Sequence, residues 1–240
     1  MDLAGRPPQD DVSAGAWIAE AVAGRPWGTV AAVVPAVFPA YARVLHPAVR
    51  YVEDDDVDVP WAEVAAANGT VAHPLMQWPG VTGGWEFIGE DDQSPVWDDS
   101  PAEGHLPSGV AARLAAVLRR HTGTPDDCWF GVWQGWGGVL STATLLRLPG
   151  RDHLLVRGPV ELAAANMAAE PAEQSANVWW PADRAWCVAT DVDLMSTYVG
   201  CPAACFDELV ATPGLEVVRA APRDRVTYAA DRLNAVPDRD

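Results

Sequence analysis

The chain is cut into short pieces. Its 240 residues include 21 prolines and 20 glycines, and most apolar runs stop at one of these or at an aspartate. Such punctuation leaves little room for long helices and favours strands joined by tight turns. The clearest case is Pro149-Gly150-Arg151-Asp152, set between Thr144–Leu148 and His153–Arg157, which predicts a hairpin. Further strands are expected at Gly28–Val34, Tyr41–Leu45, Cys128–Trp133, Val178–Trp180, Ala185–Thr190, Ser196–Val199 and Leu215–Arg219. The run Glu53–Asp58 carries five carboxylates in six positions and reads as a solvated loop.

Helical spacing is rarer. The strongest instance is 107–121, where Val110, Leu114, Val117 and Leu118 form one stripe and Arg119, Arg120 and His121 sit in the last turn. Shorter helices are expected over 14–23, capped by Ser13, and after Pro60, with Asp58 as its cap and Asn68-Gly69 as its end. Pro159–Met167 and Pro202–Ala211 complete the set, and 69–105 is the longest irregular stretch. Strands outnumber helices and short turns join many of them. The expected fold is therefore α+β, a mainly antiparallel sheet with several helices packed on it. Residues 13–225 would form the single domain, with 1–12 a flexible N-terminal arm and 226–240 a flexible C-terminal tail.

Composition narrows the function classes. Apolar residues make up 49% of the chain and charged ones 20%, which suits a soluble globular unit and argues against disorder. The formal net charge is −17, and all 16 basic residues are Arg. That surface would repel a phosphate backbone or an anionic bilayer, so neither nucleic acid nor membrane is an expected partner. The most apolar stretch, Thr29–Ala42, is broken by Pro35 and Pro39 and falls short of the ~20 residues of a spanning helix. The polar start, Met1–Asp11, lacks the pattern of a signal peptide, and four cysteines are too few for a secreted disulfide scaffold. A cytoplasmic protein is expected.

The constellations that could carry chemistry are thin. No Gly-x-Ser-x-Gly elbow exists; Ser141, after Gly137-Gly138, reads as part of a turn. Gly135-Trp136-Gly137-Gly138 has neither the Lys nor the helix of a phosphate loop. Cys201 and Cys205, with Cys187 on a nearby strand, read as buried thiols rather than zinc ligands, and Cys128 near His121 reads likewise. No cofactor or metal is implied. Asp191 and Asp193, two apart at a strand end, point to one side and are the best acid/base or cation-holding pair, with a capped turn as the plainer reading. His73, in a loop with Gln77 and Trp78, is the best placed histidine. Twelve tryptophans exceed what a core of this size needs. Trp133, Gln134 and Trp136, in and beside the glycine-rich turn, are where an exposed indole could serve as a binding surface.

Three stretches carry a resemblance: Tyr41-Ala-Arg-Val-Leu-His-Pro47; Cys128-Trp-Phe-Gly-Val-Trp133 with Gly135-Trp136-Gly137; and Trp179-Trp-Pro-Ala-Asp-Arg-Ala-Trp-Cys-Val-Ala-Thr-Asp191 running on to Ser196-Thr-Tyr-Val-Gly200. Together they resemble a family of uncharacterised actinobacterial cytoplasmic proteins, over roughly residues 28 to 220. The resemblance implies no activity. In style alone, the chain is also similar to the small acidic α+β immunity proteins of bacterial toxin systems. The expected function is a non-enzymatic binding or interaction protein, immunity-like, with a cationic protein partner drawn by the negative field. The alternative is an enzyme built on Asp191 and Asp193, and a small-ligand module is the third class.

Overall fold

The computed structural model describes residues 2–53, 55–85, 96–135 and 142–236. Its centre is an antiparallel sheet of eight strands: β1 (Ala40–Leu45), β4 (Cys128–Trp133), β5 (Leu146–Leu148), β6 (Arg151–Gly158), β7 (Val178–Pro181), β8 (Cys187–Ala189), β9 (Ser196–Cys201) and β10 (Glu216–Ala220). They lie in the order β10-β1-β9-β8-β7-β4-β6-β5. A separate hairpin pairs β2 (Ala48–Val52) with β3 (Asp55–Val59). The helices are α1 (Ala16–Val22), α2 (Val30–Val33), α3 (Trp61–Asn68), α4 (Trp78–Thr82), α5 (Ser108–Leu118) and α6 (Ala203–Ala211). The α+β class and the mainly antiparallel sheet expected from the punctuation are what the chain forms.

Packing lies against both faces of the sheet, so β1 and β9 are buried along their whole length rather than at alternate residues. Along β1, Ala40, Ala42 and Val44 join one core, filled by the buried stripe of α5 and by Cys205, Phe206 and Leu209 of α6. Tyr41 points the other way, into a second core with Ile18 and Val22 of α1 and Val30 of α2. A third cluster forms where Leu45 and Met195 leave the sheet and meet Trp61, Trp78 and Trp97. These three indoles stack edge to face, with centroids 5.3 and 5.0 Å apart.

Turn chemistry sets the joints. Leu148 pairs with Arg151, so the predicted hairpin closes through Pro149 and Gly150 alone, with Gly150 at φ +73°. Gly69 at φ +67° ends α3, as expected from Asn68-Gly69.

Several local expectations are corrected. Gly28–Val34 is β-branched but forms α2, one helical turn. The amides of Val30 and Ala31 are taken by the carbonyls of Asp224 and Pro222 (3.0 and 2.9 Å), and Val30 and Val34, four apart, both enter the second core. Tertiary partners override the strand preference here. The acidic run does not stay a loop: Asp55–Val59 pairs with β2, its carboxylates pointing into water. Pro159–Met167 contracts to a 3₁₀ turn, Val160–Ala164. Ser13 caps nothing with its side chain; its amide donates to Asp11 Oδ1 (2.9 Å). Asp58 does not cap α3 but faces Arg113 at 3.6 Å. The cap is supplied from 155 residues away. The Glu216 carboxylate accepts the amides of Trp61 (2.6 Å) and Ala62 (2.9 Å), satisfying two donors that no local side chain reaches.

Nor do the described termini hang free. Leu3 is fully buried in the first core, and the Gln9 amide donates to Leu155 O at 2.8 Å. At the other end Val226, Ala230, Asp231 and Asn234 are buried. Asp231 Oδ1 accepts from His73 Nε2 and from the amides of Leu233 and Asn234, while Oδ2 accepts from the Gln77 amide and Asn234 Nδ2, at 2.9 to 3.1 Å. Polarity suggests a fraying tail; instead Asp231, through His73 and Gln77, and Asn234, through Val71, dock the described part of it.

Candidate functional site: a cavity with an arginine floor

The second face of the sheet is not covered end to end. α1 and α2 shield one part, and α3 and α4 close another. Between them lies a cavity of about 630 Å³, within the range of small-molecule sites. Residues 24–28 and 225–229 form part of its wall, and the hairpin tip at Gly150 and the turn at Asp191–Ser196 contribute more. Indoles of Trp27, Trp61 and Trp78, with Met195 and Tyr228, make much of the lining apolar and aromatic.

The charge of this cavity runs against the charge of the chain. Four arginines line it, Arg25, Arg43, Arg151 and Arg225, against two acids, Asp191 and Asp193. Only Arg151 of the four is ion-paired among the described residues, through Nη2 to Asp193 (2.7 Å) and Asp191 (3.6 Å). Arg25 and Arg225 lie at the exposed rim. Arg43 is different. It stands in the middle of β1 and is only 3% exposed.

Neutral groups hold Arg43. Its Nε donates to Ser196 Oγ (3.0 Å), and Nη1 donates to the carbonyls of Met76 (2.7 Å) and Pro74 (3.2 Å). The guanidinium lies 5.4 Å from the centroid of the Trp61 ring. No carboxylate reaches it within 4 Å among the described residues. Burial pushes the Glu216 carboxyl up, and the α3 amides and the Arg43 charge pull against that rise, but Glu216 is already committed to its cap. A buried cation with no counter-ion is strongly disfavoured, so this one marks where an anion would be welcome.

The residues singled out from sequence fall in four places. Asp191 and Asp193 both line the cavity, but β8 ends at Ala189, so they sit in a turn and not at strand spacing. They are not a free pair. Both are drawn to Arg151, and Asp191 Oδ1 also accepts the Asp193 amide (3.1 Å), the turn geometry that was the plainer reading. His73 does not join them; it sits behind the wall, bonded to Asp231 at 3.0 Å. Trp133 and Gln134 border a separate depression of about 490 Å³ beyond Arg151, whose guanidinium lies 5.2 Å from the Trp133 ring. Trp136, the rest of the glycine turn and Ser141 lie outside the described residues. Trp27, 85% exposed at the cavity rim, is the most open described indole, and nothing in its neighbourhood of sequence distinguishes it.

The other reactive groups are structural. All four cysteines are free and buried. Cys187 lies in the core opposite to that of Cys201 and Cys205, so the three do not meet. Burial pushes the Cys128 thiol up to about 12, and it raises Cys187 as well. Among the described residues no group of three His, Cys, Asp or Glu side chains could hold a metal ion, and no helix is long and apolar enough to cross a membrane. His46 is fully buried, pushed down to about 4 by burial. Its Nδ1–H faces Ala102 O (2.7 Å) and its Nε2 faces Thr197 Oγ1 (2.9 Å), a neutral tie away from the cavity.

Comparison with protein-family models, curated proteins and solved structures finds no match for this chain. The site itself therefore carries the functional reading.

Proposed function

We propose that the chain is a non-enzymatic binding protein whose cavity takes a small anionic molecule with a flat, largely apolar body. The observation that carries this is Arg43, a buried guanidinium facing the cavity without a carboxylate partner. The anion would meet Arg43, and the apolar body would lie among Trp27, Trp61, Trp78 and Met195. Rim arginines would offset locally the repulsion that a chain of net charge −17 exerts on an approaching anion. The buried free thiols suit the reducing cytoplasm expected from the sequence.

The enzyme alternative draws less support, because Asp191 and Asp193 are held by Arg151 and by their own turn. The cationic-protein reading keeps one observation in its favour. The β2–β3 hairpin exposes Asp55, Asp56 and Asp58, and Tyr51 beside them bonds Asp99.

The test is isothermal titration calorimetry with 8-anilinonaphthalene-1-sulfonate, against its uncharged analogue N-phenyl-1-naphthylamine. One saturable site is expected, at least about tenfold weaker for the uncharged probe, with Arg43→Met removing most of that difference. Equal binding of both probes, or equal effects of Arg43→Met on both, would refute the proposal. So would the absence of a stoichiometric site for the sulfonate.

A further inference from the structure

Arg43 is not the only charge of the cavity without a partner of its own. Asp191 also lines it, with a side chain 29% exposed. The cation that reaches Asp191 among the described residues is Arg151, at 3.6 Å and without a hydrogen bond. The short bond of that guanidinium, 2.7 Å, goes to Asp193. One positive charge thus serves two carboxylates. Asp191 Oδ1 accepts the Asp193 amide (3.1 Å), and Oδ2 accepts no hydrogen bond among the described residues. Asp193, 70% exposed, has water to screen it; Asp191 has less.

The two unmatched charges do not serve each other. Arg43 and Ala189 are both register partners of Tyr198, so their backbones lie two strand spacings apart, about 10 Å. Asp191 follows Ala189 by two residues, in the turn beyond β8. No ion pair joins it to Arg43 within 4 Å among the described residues. At the Arg43 end, Nε and Nη1 are taken by Ser196, Pro74 and Met76, and Nη2 makes no hydrogen bond among the described residues.

Charge decides what kind of group each end welcomes. Arg43 calls for an anion. Asp191 calls for a compact cation that brings its own N–H donors, so that Oδ2 gains a bond while Arg151 keeps its place; an ammonium does this. Opposite charges on two strands of one largely aromatic cavity match opposite charges at two ends of one aromatic ligand. An α-amino acid carries both on a single carbon and does not span the gap. A ligand with both charges also approaches a chain of net charge −17 without net repulsion.

We propose that the cavity takes an aromatic acid bearing an aliphatic ammonium group at its far end, with the anion on Arg43 and the ammonium on Asp191. This rests on the cavity reading above and completes the charge of its ligand.

The experiment is calorimetric titration of the full chain at pH 7 with three matched pairs. Two carry the amine at the far end: 4-methylbenzoate with 4-(aminomethyl)benzoate, and 6-methyl-2-naphthoate with 6-(aminomethyl)-2-naphthoate. The third, 3-phenylpropionate with phenylalanine, carries it beside the carboxylate. In at least one far-end pair the amine should bind about fivefold tighter than the methyl compound, the gain expected of a partly solvated ion pair. Phenylalanine should gain less than about twofold over 3-phenylpropionate. In Asp191→Asn the far-end gain should fall below about twofold. No gain in either far-end pair, an equal gain for phenylalanine, or a gain that survives Asp191→Asn would each overturn the ammonium end. The wild-type comparisons decide the matter alone if the variant fails to fold. A chain that binds the anilinonaphthalene sulfonate but shows no amine gain loses the ammonium end and keeps the cavity. A chain that binds neither the sulfonate nor any of these acids loses both.

Discussion

Asp231 offers the sharpest perturbation of the fold. Its side chain is fully buried and accepts five hydrogen bonds, from His73, Gln77, Leu233 and twice from Asn234. Asp231→Ala removes every one of them. A bond to a charged group contributes about 1.5–3 kcal/mol, but those figures do not add, because the freed donors regain water once the terminal segment lifts away. Buried donors left without an acceptor cost about 1–3 kcal/mol each and relax in part, so a loss of about 3 kcal/mol is expected. Asp231→Asn keeps one oxygen and should lose less. The pH dependence separates charge from shape. Burial pushes this carboxyl up, but the bonds from Asn234, Gln77 and His73 outweigh it and hold the group below its ordinary value. A lowered folded pKa means that the unfolded chain binds the proton first. The stabilisation is therefore complete above about pH 4 and is lost as pH falls through the folded value. Urea unfolding followed by far-UV ellipticity, at pH 7 and pH 3, should show the gap between wild type and Asp231→Asn narrowing at the lower pH. A loss under about 1 kcal/mol for Asp231→Ala, or a gap that does not change with pH, would refute the reasoning.

Three further outcomes are expected elsewhere in the fold. Gly104 has φ +72°, and a Cβ there would lie 2.4 Å from the Val192 carbonyl oxygen, so Gly104→Ala should cost about 1–3 kcal/mol in calorimetric unfolding. Because the Gly104 amide also donates to Leu194 O (2.9 Å), the same variant should weaken anion binding through the Asp191–Leu194 turn. The four buried thiols should resist an aromatic disulfide reagent in the native protein and all react in guanidinium; one fast-reacting native thiol would contradict the burial that raises Cys128 and Cys187.

The fold was legible where local pattern and final environment agree. Cys128–Trp133 and Ser196–Cys201 carry aromatic and β-branched residues and are largely buried in the sheet, and Pro149-Gly150 turns the chain without outside help. Legibility failed where distant partners decide. Val30–Val33 is helical because carbonyls near residue 223 take its amides, and α3 is capped by Glu216 rather than by the nearby Asp58. The β2–β3 hairpin escaped notice because β3 is exposed over most of its length, so no apolar alternation marks it. The site was less legible still. Asp191 and Asp193 could be paired by spacing, but the arginine that neutralises them is about forty residues earlier. Arg43 looks like an interruption in an apolar strand, and only the assembled sheet shows that it faces a void. His73 and its partner Asp231 are 158 residues apart.

The edge-to-face ladder of Trp61, Trp78 and Trp97 has an optical consequence. Trp61 and Trp78 line the cavity, and Trp97 stands behind Trp78 with their ring centroids 5.0 Å apart. Indoles this close share excitation energy, so light absorbed by one is emitted by the group. A ligand that quenches either lining ring therefore dims all three, and a filled cavity announces itself in the emission spectrum without any label.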